Sequence, residues 1–140
     1  MTRNKFSEKE VFARTLYGEA RGEIAQFGDA PLKAVANIIV NRFKAQTWYG
    51  RTIKDVCLKN WQFSCWNKDD PNLSVLLAPT ITCSVFDLCL KVADLFLLNG
   101  GVIPDNTNGA NHYHHRKIFP SWTVKKHPTC QIGNHIFYKL

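Results

Sequence analysis

The chain has 140 residues, of which 45% are hydrophobic and 21% are charged, and this composition excludes a disordered or collagen-like protein. The length suffices for one hydrophobic core, so residues 1–140 are predicted to form a single domain. No apolar stretch approaches the ~20 residues of a membrane span. The basic N-terminus is not followed by an apolar segment. We therefore expect no stable membrane insertion and no secretory signal peptide, with synthesis in the cytoplasm.

The formal net charge is +7, and much of it lies near the C-terminus. Residues 106–140 contain no Asp or Glu. Their lysines and arginines are Arg116, Lys117, Lys125, Lys126 and Lys139. This imbalance favours a polyanionic partner, such as nucleic acid, an anionic membrane or an acidic cell wall. A solvated basic surface that aids solubility is the alternative.

The cysteine count favours a chain without disulfide bonds. Five cysteines, with no C-x-x-C pair, argue against a disulfide framework and against a cysteine-type zinc site. Cys83 and Cys89 lie within a helical pattern, where a thiol serves as a small apolar side chain. This usage is typical of a reducing cytoplasm.

Two helices are predicted from their N-terminal capping residues. Ser7 and Glu10 form an S-x-x-E capping box, which opens a helix that runs to Gly18. A short helix is expected over residues 52–59, with Thr52 as its N-cap.

Two longer helices are predicted from hydrophobic periodicity. Residues 31–44 carry apolar side chains at the three- and four-residue spacing of a buried stripe, and a proline stands in the first turn. Residues 82–98 are apolar around most of the helix circumference. Asn99, Gly100 and Gly101 are expected to end this last helix.

The C-terminal third lacks the helical periodicity of the preceding segments. Residues 104–111 are rich in turn formers, and the short pieces that follow at 112–115, 120–122 and 132–138 are typical of small strands and loops. The predicted fold class is therefore α+β, mostly α: a helical domain with a small C-terminal β-rich flap.

The hexapeptide GEARGE at residues 18–23 carries the first candidate for chemistry. Its two glycines follow a helix, so the backbone is expected to turn there. Glu19 would then lie at a helix C-terminus, where the helix dipole and partial burial raise a carboxyl pKa, as a general acid requires. The alternative is a surface glutamate paired with Arg14 or Arg21. Glu23 could share this site or brace Arg21.

Histidines and aromatic residues provide two further candidate groups. His112, His114 and His135 could hold a zinc ion, although no H-E-x-x-H motif is present, and a polar cleft lining is the other interpretation of His112 and His135. Aromatic side chains recur beside amide and hydroxyl residues, a pattern that suits stacked sugar rings or nucleobases, or simple core packing. The aromatic set comprises Trp61, Phe63, Trp66, Tyr113, Trp122, Phe137 and Tyr138.

Six ordered segments resemble the signature of SleB/CwlJ-like cell-wall hydrolases. They are LYGEARGE at 16–23, AVANIIVNR at 34–42, QFSCW at 62–66, GANHY at 109–113, PSW at 120–122 and IGNHIFY at 132–138. The resemblance implies a lysozyme-like, mostly helical catalytic domain that cleaves peptidoglycan, with Glu19 as the catalytic acid. Members act as spore-cortex lytic enzymes, autolysins or phage lysins, and the lack of a signal peptide and wall-binding domain favours a phage or prophage endolysin released by a holin.

The expected reaction follows from a single acid. Glu19 would cleave the glycan between N-acetylmuramic acid and N-acetylglucosamine as a lytic transglycosylase, giving a 1,6-anhydromuramic product without metal or cofactor. We expect a monomer that acts on peptidoglycan rather than on nucleic acid. The predicted substrate-binding residues are Glu23, Gln62, Ser64, Asn111, Tyr113, Trp122 and His135. A hydrolytic muramidase, a zinc-dependent N-acetylmuramoyl-L-alanine amidase and a non-catalytic basic module that binds wall polymer or nucleic acid are the alternatives.

Overall fold

In a computed structural model of the chain, residues 5–60, 62–78, 80–98 and 103–140 are described. Helix α1 spans Glu8–Ala20 and is followed by a 3-10 turn at Arg21–Glu23 and the short α2 at Ile24–Phe27. Helices α3 (Ala30–Ala45), α4 (Ile53–Leu58), α5 (Leu73–Leu76) and α6 (Ser84–Leu98) complete the helical part. The predicted end of α6 at residues 99–101 lies outside the described residues.

The caps and stripes explain why these helices form where they do. The Ser7 side chain accepts a hydrogen bond from the Glu10 backbone N–H, and Thr52 caps α4 through the Asp55 N–H. The apolar stripe of α3 is buried, with Leu32, Val35 and Ala36 fully enclosed. Helix α1 packs against α3, α4 and α6, so it runs through the centre of the helical layer.

The glycines of the sequence predicted that the first helix ends at Gly18, but the helix extends to Ala20. It continues through two more residues because Gly18 is needed for close packing rather than for a turn. A Cβ on Gly18 would lie 2.7 Å from the Cβ of Cys65 and 3.0 Å from the Leu76 side chain. The backbone leaves the helix at Ala20 instead, so Glu19 occupies the last turn.

A three-stranded antiparallel sheet forms the C-terminal part, in the order β1-β3-β2. Its strands are β1 (His112–His115), β2 (Cys130–Ile132) and β3 (His135–Tyr138). The predicted piece at 132–138 is thus the second half of a hairpin that turns at Gly133, whose φ is +58°. The piece at 120–122 is not a strand, since Ser121–Thr123 form a 3-10 turn after Pro120. The mostly helical α+β class with a C-terminal sheet is confirmed.

The two faces of the sheet meet different surroundings. Register pairs Tyr113 with Phe137 and His115 with His135, so these four side chains share one face. Phe137 is fully buried, and this face closes onto the helical layer. The other face carries His112, His114 and Tyr138.

No helix among the described residues is both long and apolar enough to cross a bilayer. All five cysteines are free thiols.

Candidate active site

Glu19 is the point where three parts of the chain meet. The hydroxyl of Tyr113, on β1, donates a hydrogen bond to Glu19 Oε1 at 2.5 Å. Cys65, in a 3-10 turn at Ser64–Trp66, lies beside the same carboxyl group, and its thiol and backbone favour the carboxylate form of Glu19. Glu19 and Tyr113 are both only partly exposed. The helix end, the sheet and the turn thus hold one carboxyl group in a single position.

Burial controls the protonation of this group. Desolvation raises the pKa of Glu19 above its ordinary value, and the nearby negative charge of Asp70 adds to that rise. The hydrogen bonds from Tyr113 and Cys65 favour the carboxylate and lower the pKa in part. Burial and the Glu19 charge raise the pKa of Tyr113 well above its usual range, so its hydroxyl remains a donor. The net result is a carboxyl group that keeps its proton to a higher pH than an exposed glutamate.

The alternative of a surface ion pair for Glu19 does not match the structure. Arg14 binds Glu10 and the carbonyl groups of Leu76 and Ala78. Arg21 donates to Asn72 Oδ1 and to the Tyr17 carbonyl. In the described part of the chain, the ion pairs do not include Glu19.

Arg42 is a buried cation beside the site that the sequence analysis did not single out. Its guanidinium donates to the Asn111 carbonyl at 2.8 Å and to Gln62 Oε1 at 2.9 Å. It also lies between the rings of Tyr49 and Phe63, 5.2 and 5.1 Å from their centroids. The negative charge of Glu19 acts on Arg42 and favours its charged form. Arg42 therefore contributes a fixed positive charge near the carboxyl group.

A signal for Arg42 was present in the sequence. It stands three residues after Ile39 and seven after Val35, on the same face as the apolar stripe of α3. A charged side chain at such a position must be buried with partners, which marks it as a candidate for a specific role.

Glu23 binds the sheet rather than Arg21. Its two carboxylate oxygens accept hydrogen bonds from the backbone N–H of Asn134 at 2.7 Å and from its side-chain amide at 2.9 Å. Gly133 permits this approach, since a Cβ there would lie 2.7 Å from Glu23 Oε1. His135 Nδ1 is 4.0 Å from the same oxygen. Glu23 thus fastens the β2–β3 turn to the helical layer.

The other predicted substrate-binding residues occupy different positions around Glu19. His135 packs its ring against Tyr113 at 5.0 Å, on the Glu19 side of the sheet, and burial lowers its pKa. Ser64 is exposed and precedes Cys65 directly. Gln62 binds Arg42.

Two of these residues face elsewhere. The Asn111 side chain binds the backbone N–H and carbonyl of Leu140, so it ties down the C-terminus. Trp122 packs on His112, His114 and Tyr138, on the sheet face opposite to Tyr113. Contact of any of the predicted residues with sugar stays a prediction.

The zinc interpretation of the histidines meets a geometric obstacle. His112 and His114 point to one face of the sheet and His135 to the other. His114 bonds to Tyr138 Oη at 3.0 Å, and burial together with Arg42 lowers the pKa of His112. Among the described residues, no three His, Cys, Asp or Glu side chains are close enough to hold a metal ion.

Most of the predicted aromatic set belongs to the core. Phe63, Trp66, Phe137 and Tyr138 are buried, and Trp66 Nε1 donates to Thr15 Oγ1 at 2.8 Å. Trp61 lies outside the described residues. Among the described members, only Tyr113 makes a hydrogen bond to Glu19.

Comparison with known proteins places the chain among wall-degrading enzymes. A family model described as cell wall hydrolase matches residues 29–138, a range that begins ten residues after Glu19. The catalytic domain of the Bacillus cereus SleB protein matches with a TM-score of 0.64 and 22% identity over 99% of this chain and 95% of that one. The catalytic domain of the germination-specific lytic transglycosylase SleB from Bacillus anthracis matches with a TM-score of 0.68 and 23% identity over 99% and 100%. A search of curated proteins gave no match. These likenesses confirm the expected fold and the resemblance found in the sequence.

Proposed function

We propose that this chain, which belongs to the cell wall hydrolase family, cleaves the peptidoglycan glycan strand between N-acetylmuramic acid and N-acetylglucosamine as a lytic transglycosylase. Membership of the family makes it an enzyme that degrades the bacterial cell wall. The bond cleaved and the product formed are the proposal.

The observation that carries the proposal is the hydrogen bond from Tyr113 to the partly buried Glu19 carboxyl group, whose pKa is raised. Glu19 is held by Tyr113 and Cys65 in a partly buried position, which suits a group that first donates a proton. Glu23, the nearest carboxylate in sequence, is engaged by the β2–β3 turn. In the proposed reaction Glu19 serves as both acid and base.

The proposed reaction is balanced with this single residue. Protonated Glu19 donates its proton to the glycosidic oxygen, and the bond from C1 of the muramic acid to that oxygen breaks with oxocarbenium-like character. The 6-hydroxyl of the same sugar attacks C1, and its proton returns to the Glu19 carboxylate. The product is a 1,6-anhydro sugar, and no water is consumed. Tyr113 and the positive charge of Arg42 support the carboxylate formed between the two proton transfers.

A hydrolytic muramidase is the second candidate, because a further carboxylate acts on Glu19. The negative charge of Asp70 contributes to the raised pKa of Glu19. A paired-carboxylate glycosidase uses such a second group as base or nucleophile. Asp70 accepts a hydrogen bond from the Asn72 N–H at 2.8 Å and is partly exposed. The sequence analysis missed Asp70 because it lies 51 residues from Glu19 in a loop.

The two candidates are separated by mass spectrometry of digested peptidoglycan in water labelled with heavy oxygen. The transglycosylase gives anhydro ends without the label, whereas hydrolysis gives labelled reducing ends. Glu19→Gln should abolish either activity, by about 10²- to 10⁴-fold. Asp70→Asn should leave a transglycosylase with most of its activity and should inactivate a paired-carboxylate muramidase. Released peptides with intact glycan would instead indicate the amidase.

We further propose that the protein acts on the wall as a phage or prophage endolysin that reaches its substrate through a holin pore. The excess of positive charge, which suits an anionic polymer, supports action at the wall. Expression in bacteria with and without a pore-forming holin tests the release step. Lysis that depends on the holin would agree with the proposal, and equal lysis without it would contradict it.

A further inference from the structure

An open pocket lies between the loop after α3 and helix α4, and its lining does not include the residues that hold Glu19. Its volume is about 540 Å³, which is within the usual range for small-ligand sites. Its lining includes Trp48, Gly50, Arg51, Asp55 and Lys59. None of these residues has a role in the reaction described above.

Trp48 gives the pocket a fixed aromatic wall. The side chain is 63% exposed, although a tryptophan side chain is normally largely buried. Its ring packs on the ring of the buried Tyr49 at a centroid distance of 4.5 Å. The Tyr49 ring therefore supports one side of the indole, and the other side faces solvent. A supported indole of this kind offers a flat apolar surface at little cost in side-chain entropy.

The backbone of the loop is fitted closely to α4. Gly50 has a φ of +146°, and a Cβ at this position would lie 2.8 Å from the backbone nitrogen of Val56. This close approach fixes Trp48 and Arg51, on either side of Tyr49–Gly50, relative to the helix. Close packing of the loop backbone against α4 therefore sets the shape of the pocket.

The charges of the pocket indicate a ligand with mixed chemistry. Arg51 and Lys59 are exposed cations that can bind carboxylate or phosphate groups. Asp55 adds an acceptor for hydroxyl or amide donors. A sugar ring that carries a carboxylate-bearing peptide supplies an apolar face, hydroxyl donors and anionic groups at once.

Tyr49 connects the pocket to the surroundings of the acid. Its ring packs on Trp48, and the Arg42 guanidinium lies 5.2 Å from the ring centroid. Arg42 is the buried cation on which the charge of Glu19 acts. The loop that forms the pocket is therefore packed against the residues around the acid, so one extended polymer can contact both.

We infer that the Trp48 pocket is an accessory binding site for a peptide-bearing sugar unit of the glycan strand, remote from the bond that is cleaved. The sugar face packs on Trp48, and the carboxylates of the peptide stem bind Arg51 and Lys59. This inference rests on the proposed function. The site increases the affinity for long strands, because a polymer held at two places is released more slowly than one held at a single place.

The test measures binding in the Glu19→Gln background, where the strand is not cleaved, by calorimetry with purified soluble glycan strands. We expect Trp48→Ala to weaken the binding of peptide-bearing long strands by about tenfold and Trp48→Phe to restore most of it. Arg51→Gln with Lys59→Gln should weaken the binding of peptide-bearing strands more than that of strands stripped of peptide. Lys91→Gln on α6 and Leu98→Ala, at another exposed apolar position, are the controls.

Further binding and cleavage measurements identify the anionic group of the ligand and separate this inference from the proposed function. Binding of isolated teichoic acid that depends on Arg51 and Lys59, with no effect of the peptide stem, would overturn the peptide assignment. Variants that bind long strands as tightly as the parent would overturn the site while Glu19-dependent cleavage remained. In the active protein, Trp48→Ala should reduce cleavage of long strands more than cleavage of a short fragment, and equal losses would also overturn it. A parent protein that neither binds nor cleaves glycan would overturn the proposed function and this site together.

Discussion

Removal of one hydroxyl group tests how Glu19 is controlled. Tyr113→Phe deletes the donor that stands 2.5 Å from Glu19 Oε1 and leaves the ring in place between His135 and Phe137. Because this hydrogen bond favours the carboxylate, its loss should raise the pKa of Glu19 further. The substitution therefore changes the chemistry of the site with little change in packing.

The size of the effect follows from the strength of the bond. A hydrogen bond to a charged group contributes about 1.5–3 kcal/mol, which corresponds to about 10- to 150-fold in an equilibrium constant or about one to two pH units. The carboxylate that forms when Glu19 gives up its proton loses this support. We expect the plateau of kcat/KM to fall by up to that factor and the alkaline limb of its pH profile to move to higher pH.

The assay is a pH profile of kcat/KM on a short soluble glycan fragment. Tyr138→Phe is the matched control, since it removes a hydroxyl group that bonds to His114 on the opposite face of the sheet. Its profile should keep the shape of the wild-type profile. A Tyr113→Phe profile with an unchanged alkaline limb, or with a limb moved to lower pH, would refute the role of Tyr113.

Three other variants have defined outcomes. Glu19→Gln should unfold at a higher temperature than the wild type at pH 7 but not at pH 4, because a raised pKa in the folded state costs the wild type stability as pH rises above the ordinary glutamate value; a constant difference across pH would contradict this. Gly18→Ala should lower the melting temperature, since overpacking against Cys65 costs about 1–3 kcal/mol and outweighs the roughly 1 kcal/mol that alanine adds to a helix; a more stable variant would show that the contact is loose. Glu23→Gln should lower the urea midpoint through weaker binding of Asn134, by about 1–3 kcal/mol in the free energy of unfolding, while retaining much more lytic activity than Glu19→Gln. Equal loss of lysis in the two glutamine variants would assign Glu23 to the chemistry.

Local patterns predicted the helices well because their burial is periodic in sequence. The stripe of α3 and the caps at Ser7 and Thr52 depend on residues within a few positions of one another. The prediction for the end of α1 was wrong because Gly18 is required for close packing against Cys65, which is 47 positions away. Propensity alone carries no information about such a contact.

The candidate site was predicted in part for the same reason. Glu19 stood out through its position at the end of a helix, but its partners lie on a distant strand and turn. Arg42 is recognisable only as a charge on an apolar face, and Asp70 by nothing local. The Trp122 side chain was placed near the cleft by its residue type, whereas the period of β1 directs its neighbours to the far face of the sheet.

The bonds that join the two ends of the fold also set the order in which the enzyme can become active. Tyr113 is 94 residues from Glu19, and Asn134 is 111 residues from Glu23, so both contacts close very large loops. Contacts of this range form late in folding, and a chain is made from its N-terminus onward. A ribosome-bound chain that has exposed helices α1 to α6 still has neither the tyrosine that holds the acid nor the turn that Glu23 fastens. Synthesis itself therefore delays the assembly of the acid site until Tyr113 and Asn134 have emerged.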